Sequence, residues 1–399
     1  MLPLSRSVSH CDPCKPDGGT TIRGGRNIDH LEDYRVRSAD EWFLYNCWYA
    51  AAWTSEIENG TPFARTFLEK PIVIFKTGSG DYVALDDRCC HRSAPLSMGR
   101  IEGDCLRCMY HGMKYNADGI CVEIPGQAQI SANHRVHSYP IVDRGGMLWI
   151  WMGDPDKADP EDIPHFEPLE DPNWCGLPNR CYLHYDANWM LIVDNLADFS
   201  HLAFVHTNTL GGSEDYATES AQQVDKLDNG FEFERWHRES TQPPYLQKIT
   251  PWAEDTIVDR RNFVRMYTPG IFLMDTQFGA VGWDSAEEGG ELLEFRNCQY
   301  MTPETRNTTH FFWEYLRNFR MGEDDVGETL REAMFQGFFE DKVIIEAQQR
   351  LLEQTSDFQP RGLASDNALA HFRRIWFDHI AKERETYPIA PQVIKNPVI

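Results

Sequence analysis

The distribution of hydrophobic and polar residues divides the chain into two parts with different patterns. From residue 41 to about residue 155, short runs rich in Val, Ile and aromatic residues are separated by Gly, Pro and Asp, which is typical of β-strands joined by turns. The clearest runs are PIVIFKTGSGDYVALDD, GICVEIPGQ and GGMLWIWMGDP. They predict a compact all-β domain.

The second part begins after a Pro- and Asp-rich stretch near residues 155 to 172 and mixes strand-like runs with helical segments. We expect helices around 187 to 204 and 325 to 354, the second being the last helix of the chain. The strand-like runs are GFEFERWH, NFVRMYTPGIFLMDTQF and NTTHFFWEYL. One face of the last helix repeats at spacings of three and four and includes a carboxylate: Leu330, Met334, Phe338, Asp341, Ile345, Gln348 and Leu352.

These patterns predict an α+β protein with three segments in its 399 residues. Residues 1–41 form an N-terminal arm, 42–158 an all-β domain, and 159–399 a domain of antiparallel sheet plus helices. The arm contains Cys11-x-x-Cys14 with a single neighbouring histidine. An isolated pair of this kind lacks the second pair of ligands that a zinc site needs, so we expect no site there.

Composition excludes several classes of function. With 41% hydrophobic residues the chain has ample material for buried cores, which excludes a disordered or fibrous protein. The 38 basic and 62 acidic residues give a net charge of −24, which repels nucleic acids and anionic membranes. No apolar run is long enough for a signal peptide or a bilayer span, so we expect a soluble cytoplasmic protein.

The cysteines are unevenly distributed along the chain. Their odd number, 11, argues for free thiols and metal ligands rather than a disulfide framework. Scattered cysteines are expected to fill packing space: Cys47, Cys175, Cys181 and Cys298. Five others fall within one short stretch: Cys89, Cys90, Cys105, Cys108 and Cys121.

Two loops in this stretch each combine thiol and imidazole groups. Cys89-Cys90-His91 has the spacing C-x-H, and Cys108 to His111 has the spacing C-x-x-H. A Rieske [2Fe–2S] centre requires two cysteines on one iron and two histidines on the other, and this inventory fits it. The competing interpretation is structural zinc bound by one of the first two cysteines with a Cys105-x-x-Cys108 pair, which would leave both histidines unexplained.

A second candidate metal site lies in the apolar segment NWMLIVDNLADFSHLAFVHTNTLGG. It contains Asn195, Asp198, His201 and His206. On a regular α-helix the two histidines would diverge by roughly 140°, so the helix must end or bulge there if both are to bind one ion. Two imidazoles with one carboxylate form the ligand set of non-haem ferrous oxygenases, which leaves positions open for O₂. The alternative is that each histidine is a core residue.

The third ligand of this site is expected far downstream, where the last helix supplies Glu340 and Asp341. We choose Asp341, because it lies on the apolar stripe, where an unpaired charge would be costly. Glu340 better suits a carboxylate in solvent.

The stretch CCHRSAPLSMGRIEGDCLRCMYHGMKYNADGICVEIPGQ resembles the cluster-binding segment of Rieske non-haem iron oxygenases, in their oxygenase (alpha) subunit. This resemblance implies that Cys89, His91, Cys108 and His111 bind the cluster. The pattern D-x-x-H-x-x-x-x-H, with an Asn three residues upstream, is similar to the catalytic-iron segment of the same family. It implies a mononuclear Fe(II), with Asn195 and Asp198 as residues of the catalytic site.

The same resemblance implies a homotrimer in which the cluster of one subunit lies near the iron of its neighbour. Asp198 is then expected to pair with His201 and, across the interface, with His91 or His111. Electrons come singly from a ferredoxin or reductase, and O₂ is the co-substrate.

Within this family the chain most resembles the vanillate and dicamba O-demethylase branch, in its undivided chain, in the WYAAAWTSEI opening of the β domain and in the segment NWMLIVDNLADFSHLAFVH. The implied reaction is oxidative O- or N-dealkylation of a small aromatic compound, releasing an aldehyde. A ring-dihydroxylating oxygenase, a Rieske electron-transfer protein and a zinc-binding interaction protein are the alternatives. The aromatic-rich segment from Phe263 to Phe312 is expected to be sheet core, or else to line an apolar pocket.

Overall fold

The computed structural model describes residues 43–211, 224–283, 292–355, 361–363 and 366–386. The N-terminal arm, including Cys11 and Cys14, lies outside the described residues. The strands are β1 (Trp48–Trp53), β2 (Phe63–Phe67), β3 (Lys70–Lys76), β4 (Tyr82–Asp86), β5 (Arg100–Glu102), β6 (Cys105–Arg107), β7 (Lys114–Tyr115), β8 (Cys121–Glu123), β9 (Ser138–Tyr139), β10 (Ile141–Arg144), β11 (Met147–Trp151), β12 (Cys181–Tyr185), β13 (Val224–Leu227), β14 (Gly230–Thr241), β15 (Ile257–Tyr267), β16 (Ile271–Ala280), β17 (Leu293–Thr305) and β18 (Thr308–Arg317). The α-helices are α1 (Trp189–Ala197), α2 (Leu202–Val205), α3 (Pro244–Ile249), α4 (Asp324–Gln354) and α5 (Asn367–Thr386).

The first eleven strands form three small antiparallel sheets, as the strand-and-turn pattern predicts. Their strand orders are β1-β11-β10, β2-β3-β4-β9 and β5-β6-β7-β8. The last of these sheets supports the cysteine-rich loops, because strand β6 runs directly into Cys108. Below it lies a separate apolar cluster that includes Val73, Phe75, Leu106 and Tyr115.

The second part is built on one seven-stranded antiparallel sheet with the order β12-β18-β17-β16-β15-β14-β13. Strands β13 to β18 follow each other as a meander, and β12 pairs with β18 at the far edge. The connection from β12 to β13 therefore crosses the sheet, and it carries α1 and α2. This architecture confirms the α+β prediction.

The two parts share buried contacts. The hydroxyl of Thr302 in β17 donates to the carbonyl of Ala50 in β1 at 2.7 Å, and the indole N–H of Trp53 donates to the Cys181 carbonyl at 2.9 Å. The domain limits at residues 41 and 158 stay predictions, because contacts between the two parts do not identify the residue at which one domain ends and the next begins.

Helix α1 ends just before the segment that carries the two histidines. Its first turn is capped by the side chain of Asn188, which accepts from the amide of Met190. At the other end Asp198 leaves helical geometry, with φ −132° and ψ 106°, and a 3-10 turn, Phe199–His201, leads into α2. The helix was expected to end or bulge between His201 and His206. Its main break lies earlier, at Asp198, and between the two histidines the chain changes from the 3-10 turn to the short helix α2, which ends at Val205.

Helix α4 matches the predicted bounds closely, but the prediction of one residue on its buried stripe was wrong. Gln348 is exposed and Gln349 is buried. The backbone N–H of Asn188 donates to the side-chain oxygen of Gln349 at 3.0 Å. The helix continues at 3.6 residues per turn, so the inward position drifts by one residue after Ile345.

The expectation that α4 is the last helix was also wrong. Helix α5 follows it and buries Trp376 against Trp189 of α1, with ring centroids 4.7 Å apart. Charged residues interrupt the apolar positions of α5, which hides its periodicity in the sequence. Across the described residues, none of the helices combines the length and apolarity required to traverse a bilayer.

Candidate metal centres

The cysteine-rich loops place two thiols inside the protein and two imidazoles at its surface. Cys89 and Cys108 are 4% and 1% exposed, whereas His91 and His111 are exposed, with ring centroids 4.5 Å apart. Tight backbone turns hold the loops: the amide of Cys89 donates to the Ala94 carbonyl at 2.8 Å. Two separate loops thus bring a pair of thiols and a pair of imidazoles to one edge of the domain.

One glycine is needed at the turn of the second loop. Gly112 has φ +77°, and a Cβ there would lie 2.7 Å from Pro125 Cγ. Its amide donates to the Cys108 carbonyl at 3.1 Å, closing the turn between Cys108 and His111. A side chain at this position would strain the backbone and displace Pro125.

The environment of the thiols fits a metal cluster. Burial raises the pKa of the Cys108 thiol, so a thiolate there requires a positive charge close by, which iron supplies. The Tyr115 hydroxyl lies 3.1 Å from Cys89 Sγ and 3.2 Å from Cys90 Sγ. Hydrogen bonding of this kind tunes cluster sulfurs.

The zinc alternative receives no support from the strand geometry. Cys105 starts strand β6 and is half-buried, whereas Leu106 and Cys108 are buried. Successive side chains alternate between faces of a strand, so Cys105 points away from the face of Leu106, whereas Cys108, just beyond the strand, belongs to the same buried cluster as Leu106.

Three side chains converge in the second part of the protein. Donor atoms of His201, His206 and Asp341 all lie within 4.8 Å of one another. Asp341 Oδ1 is 3.1 Å from His206 Nε2 and 3.5 Å from His201 Nε2. Asp341 is 4% exposed and His206 1% exposed. The group is therefore compact, largely buried, and composed of two imidazoles and one carboxylate.

Neighbouring oxygens orient the two imidazoles. The backbone carbonyl of Asp198 lies 2.6 Å from His201 Nδ1, and Glu340 Oε2 lies 2.8 Å from His206 Nδ1. Each Nδ1 therefore carries the proton and each Nε2 has a free lone pair on the side of Asp341. The hydroxyl of Thr209 also donates to Glu340 Oε2, at 2.7 Å.

The donor set fits a divalent iron. His206 Nε2 is buried and forms no hydrogen bond with the described residues, although Asp341 lies close to it. A lone pair in this position is satisfied by a metal ion, and the two-histidine, one-carboxylate set is that of non-haem ferrous oxygenases.

Burial and charge shift the pKa values of the two histidines in opposite directions. Burial lowers the pKa of His201 and outweighs the opposing effect of Asp341. Burial also acts to lower the pKa of His206, but Asp341 and Glu340 together raise it above its ordinary value. His201 is thus held neutral, as a metal ligand must be.

Two expectations from the sequence need correction. Glu340 is not a solvent carboxylate, because it bonds His206 and Thr209. The carboxylate of Asp198 caps the Ser200 amide at 2.8 Å, and only its backbone carbonyl contacts His201.

Asn195 has a direct link to the predicted third ligand. Its side-chain amide donates to Asp341 Oδ1 at 3.0 Å. The sequence placed Asn195 at the site and offered Glu340 as an alternative ligand, but it did not indicate that Glu340 orients His206, and Thr209 was missed. The sequence contained a hint of the role of Glu340, because this residue directly precedes Asp341 on α4.

A pocket adjoins the three convergent side chains. Its empty volume, part of it open to solvent, is about 500 Å³. The walls are mainly apolar: Leu196, Phe199, Leu202, Leu210, Phe272, Met274, Met334 and Phe338. Polar groups reach it from Tyr245, Arg260, Gln299 and Tyr315. The segment from Phe263 to Phe312 therefore contributes to both sheet core and pocket.

Comparisons with known proteins cover both parts of the chain. Residues 47–140 match the Rieske [2Fe–2S] domain, and residues 185–381 match the vanillate O-demethylase oxygenase C-terminal domain. The iron-sulfur subunit of the toluene-4-sulfonate monooxygenase system of Comamonas testosteroni is 39% identical over 331 residues, covering 82% of this chain and 94% of that protein.

Other relatives include oxygenase components of further systems. The dicamba O-demethylase oxygenase component of Stenotrophomonas maltophilia is 32% identical over 336 residues, covering 83% of this chain and 96% of that protein. The crystal structure of dicamba monooxygenase bound to dicamba superimposes with a TM-score of 0.78 at 30% identity, covering 86% of this chain and 99% of that one.

Proposed function

This chain belongs to the Rieske non-haem iron oxygenases of the vanillate and dicamba O-demethylase branch, and we propose that it dealkylates a small aromatic ether or N-alkyl aromatic oxidatively. It is an oxidoreductase that uses a [2Fe–2S] Rieske cluster, a mononuclear iron and O₂. The observation that carries the proposal is the apolar pocket beside His201, His206 and Asp341.

We propose that the cluster ligands are Cys89, His91, Cys108 and His111. The support is chemical: the buried thiols suit the inner iron, and the exposed imidazoles suit the outer one. The imidazole edge is then the side of the cluster nearest the surface of this chain.

We propose that His201, His206 and Asp341 hold the mononuclear iron. Bound there, the iron supplies the activation of O₂ for insertion of oxygen into a C–H bond of the substrate. The chain supplies the positioning. Asn195 fixes Asp341 through its 3.0 Å hydrogen bond, and Glu340 fixes the ring of His206.

The pocket walls explain how an alkyl group reaches the iron. Phe272 and Met274 project from the sheet, and Met334 and Phe338 from α4, so an aromatic ring between them is desolvated on both faces. Its alkoxy or N-alkyl carbon then lies beside the metal ligands. Hydroxylation of that carbon gives a hemiacetal or hemiaminal, which breaks down to an aldehyde and the dealkylated aromatic.

We further propose a homotrimer with electron transfer between subunits. Apolar side chains are exposed around the imidazoles: Met98 74%, Met109 51% and Tyr110 60%. Near the iron site Phe204 is 65% exposed. Exposed apolar side chains of this kind are typical of protein interfaces, and pairing the two surfaces would bring a cluster close to a neighbour's iron.

Asp198 is proposed to bridge the two centres in this trimer. It is half-buried, and one of its carboxylate oxygens caps Ser200, so the other is available to an imidazole of the neighbouring cluster. Asp198→Asn should keep both metals and slow the oxidation of the reduced cluster by the iron site. Sedimentation of the holoprotein tests the assembly, and a monomer with full coupled turnover contradicts it.

The relatives are components of multi-component systems, so electrons are supplied by a separate protein. We propose a ferredoxin or reductase, and the cytoplasm as the location. None of the cysteines within the described residues forms a disulfide, which suits a reducing compartment.

The test is aerobic turnover with a reductase and a panel of methoxy- and N-alkyl-aromatics. Dealkylation predicts an aldehyde in equal amount to the dealkylated product. A cis-diol without aldehyde would favour ring dihydroxylation instead. Reduction and reoxidation of the cluster with no oxygenated product from any substrate would favour an electron-transfer protein.

A further inference from the structure

The small sheet β5-β6-β7-β8, which supports the cysteine-rich loops, carries a group of charged side chains that contact one another. They are Arg100 and Glu102 in β5, Arg107 in β6, Lys114 in β7 and Glu123 in β8. Because three of them are cations and two are carboxylates, the group has one positive charge in excess. The strands of this sheet therefore bring fixed charge to the base of the second loop.

Arg107 lies at the centre of this group. Its Nε donates to Glu102 Oε1 at 2.8 Å, and its Nη2 donates to Glu123 Oε2 at 2.9 Å. Hydrogen bonding to Arg107 is the main cause that lowers the pKa of Glu102, to about 2, and that of Glu123. Both carboxylates are therefore ionised at neutral pH and hold the guanidinium in place. The side chain of Arg107 is only 12% exposed.

The guanidinium of Arg107 also contacts the second loop. Its Nη1 donates to the carbonyl of Gly112 at 2.6 Å, and Gly112 directly follows His111 in the chain. Arg107 itself directly precedes Cys108, so the guanidinium ties together the two ends of the segment that contains both proposed ligands. A trans peptide directs its N–H opposite to its C=O, so this hydrogen bond also fixes the direction of the Met113 N–H.

Both the charge and the contact bear on how readily a cluster in this loop accepts an electron. Reduction makes the cluster more negative, so a fixed positive charge beside its ligands favours the reduced state. The orientation of backbone N–H groups around the cluster sulfurs also affects the reduction potential. Loss of the arginine should therefore lower the potential.

We infer that Arg107 is a positioning residue of the Rieske cluster, and that it raises the reduction potential by fixing the Gly112 carbonyl and by its positive charge. This inference rests on the proposed cluster ligands and adds to them a residue that determines how readily the cluster is reduced. Glu102 and Glu123 hold the guanidinium but also weaken its field. Removal of one of these carboxylates should therefore change the potential in the opposite direction from removal of Arg107.

Redox titration of the holoprotein, followed by the visible absorbance of the cluster, tests this inference. Arg107→Met removes the charge and its hydrogen bonds, so at a fixed potential the ratio of reduced to oxidised cluster should fall roughly 3- to 10-fold. Arg107→Lys keeps the charge without the planar fork and should restore part of the ratio. Glu123→Gln leaves Arg107 bonded to Glu102 and should raise the ratio. The rise should be the smaller effect, because the Glu123 side chain is 50% exposed.

Arg144 provides the matched control. It lies on β10 and has contacts of the same kind: its Nη1 donates to the Ile163 carbonyl at 2.9 Å, and its Nη2 donates to Glu161 Oε1 at 3.1 Å. Neither partner belongs to a cysteine-rich loop. Arg144→Met removes the same charge and should leave the ratio unchanged. Iron content and absorbance per chain report whether each variant contains its cluster.

Three results would overturn the inference: an unchanged ratio in Arg107→Met with full cluster content, shifts in the same direction in Arg107→Met and Glu123→Gln, or an equal shift in Arg144→Met. The second result would mean that each substitution merely loosens the loop. If Arg107→Met assembles no cluster, Glu123→Gln decides, because a rise in the ratio supports the inference and a fall or no change contradicts it.

Failure of the proposed function is recognised separately. Full Rieske absorbance in Cys108→Ser would refute the proposed ligands, whatever the potentials of the other variants. Absence of aldehyde from every ether and N-alkyl aromatic would refute dealkylation. The redox titrations need no substrate, so the role of Arg107 would still be decided by them.

Discussion

Replacement of Glu340 by Gln tests how the iron site is built. In the structure Glu340 Oε2 accepts from His206 Nδ1 at 2.8 Å and from the Thr209 hydroxyl at 2.7 Å. Glutamine keeps an oxygen for these donors but removes the negative charge that makes the imidazole a better ligand. Loss of a hydrogen-bond partner behind a metal ligand lowers metal affinity about 10- to 100-fold.

The expected effect lies in the lower part of that range. The side chain of Glu340 is 25% exposed, so water partly compensates for the lost charge. We expect iron affinity to fall about 10- to 30-fold, which corresponds to about 1.4 to 2 kcal/mol. The cluster should be unaffected, because it is bound in the other part of the chain.

The assay is anaerobic titration of the chelator-treated protein with Fe(II), with Rieske absorbance recorded throughout. Glu353→Gln is the control, because Glu353 lies on the same helix and bonds Gln349 and Asn307 rather than a metal ligand. Unchanged affinity in Glu340→Gln, or an equal loss in Glu353→Gln, would refute the reasoning.

Three further predictions concern stability and cluster assembly. Burial raises the pKa of Glu314 to about 7 from 4.5, so its contribution to stability is present below pH 4.5 and is lost as pH rises through 7. Between pH 4.5 and pH 7 the unfolding free energy of the wild type should fall by about 3 kcal/mol relative to that of Glu314→Gln, measured by denaturant titration at each pH. Parallel pH profiles of the two proteins would disprove this. Trp376→Ala removes the packing against Trp189 and should lower the unfolding free energy by about 3 to 5 kcal/mol, measured by urea titration, whereas Trp376→Phe should cost much less. In Gly99→Ala the new Cβ would lie 2.3 Å from the Arg107 carbonyl oxygen, so Rieske absorbance per chain should fall, and full cluster content would contradict this.

The metal segments were predictable because their chemistry is local in sequence. Cys108 and His111 lie in one turn, and the pattern from Asp198 to His206 lies in one connection. That no single regular helix carries both histidines followed from a geometric requirement, since two histidines five residues apart diverge on a regular helix, but the position of the break at Asp198 did not. Asp341 was singled out because a carboxylate on a buried stripe needs a partner.

Other features depend on contacts that the sequence does not display. The role of Glu340 required the position of His206, which comes from another part of the chain. Gln349 rather than Gln348 lies on the buried face, because small differences between the assumed and the actual helical repeat accumulate along a long helix. Helix α5 is held by tertiary packing of Trp376, and its charged residues obscured its periodicity. Arg107 looked like any charged residue in a strand until its hydrogen bond to the Gly112 carbonyl was known.

The central claim is that two separate iron centres work in this chain, one in each part. The most direct measurement is iron content and Rieske absorbance of His201→Ala beside Cys108→Ser. We predict that His201→Ala keeps the visible absorbance and the signal of the reduced cluster, and loses only the mononuclear iron and turnover. Cys108→Ser should lose the absorbance. Loss of colour in His201→Ala, or retention of its mononuclear iron, would contradict the account.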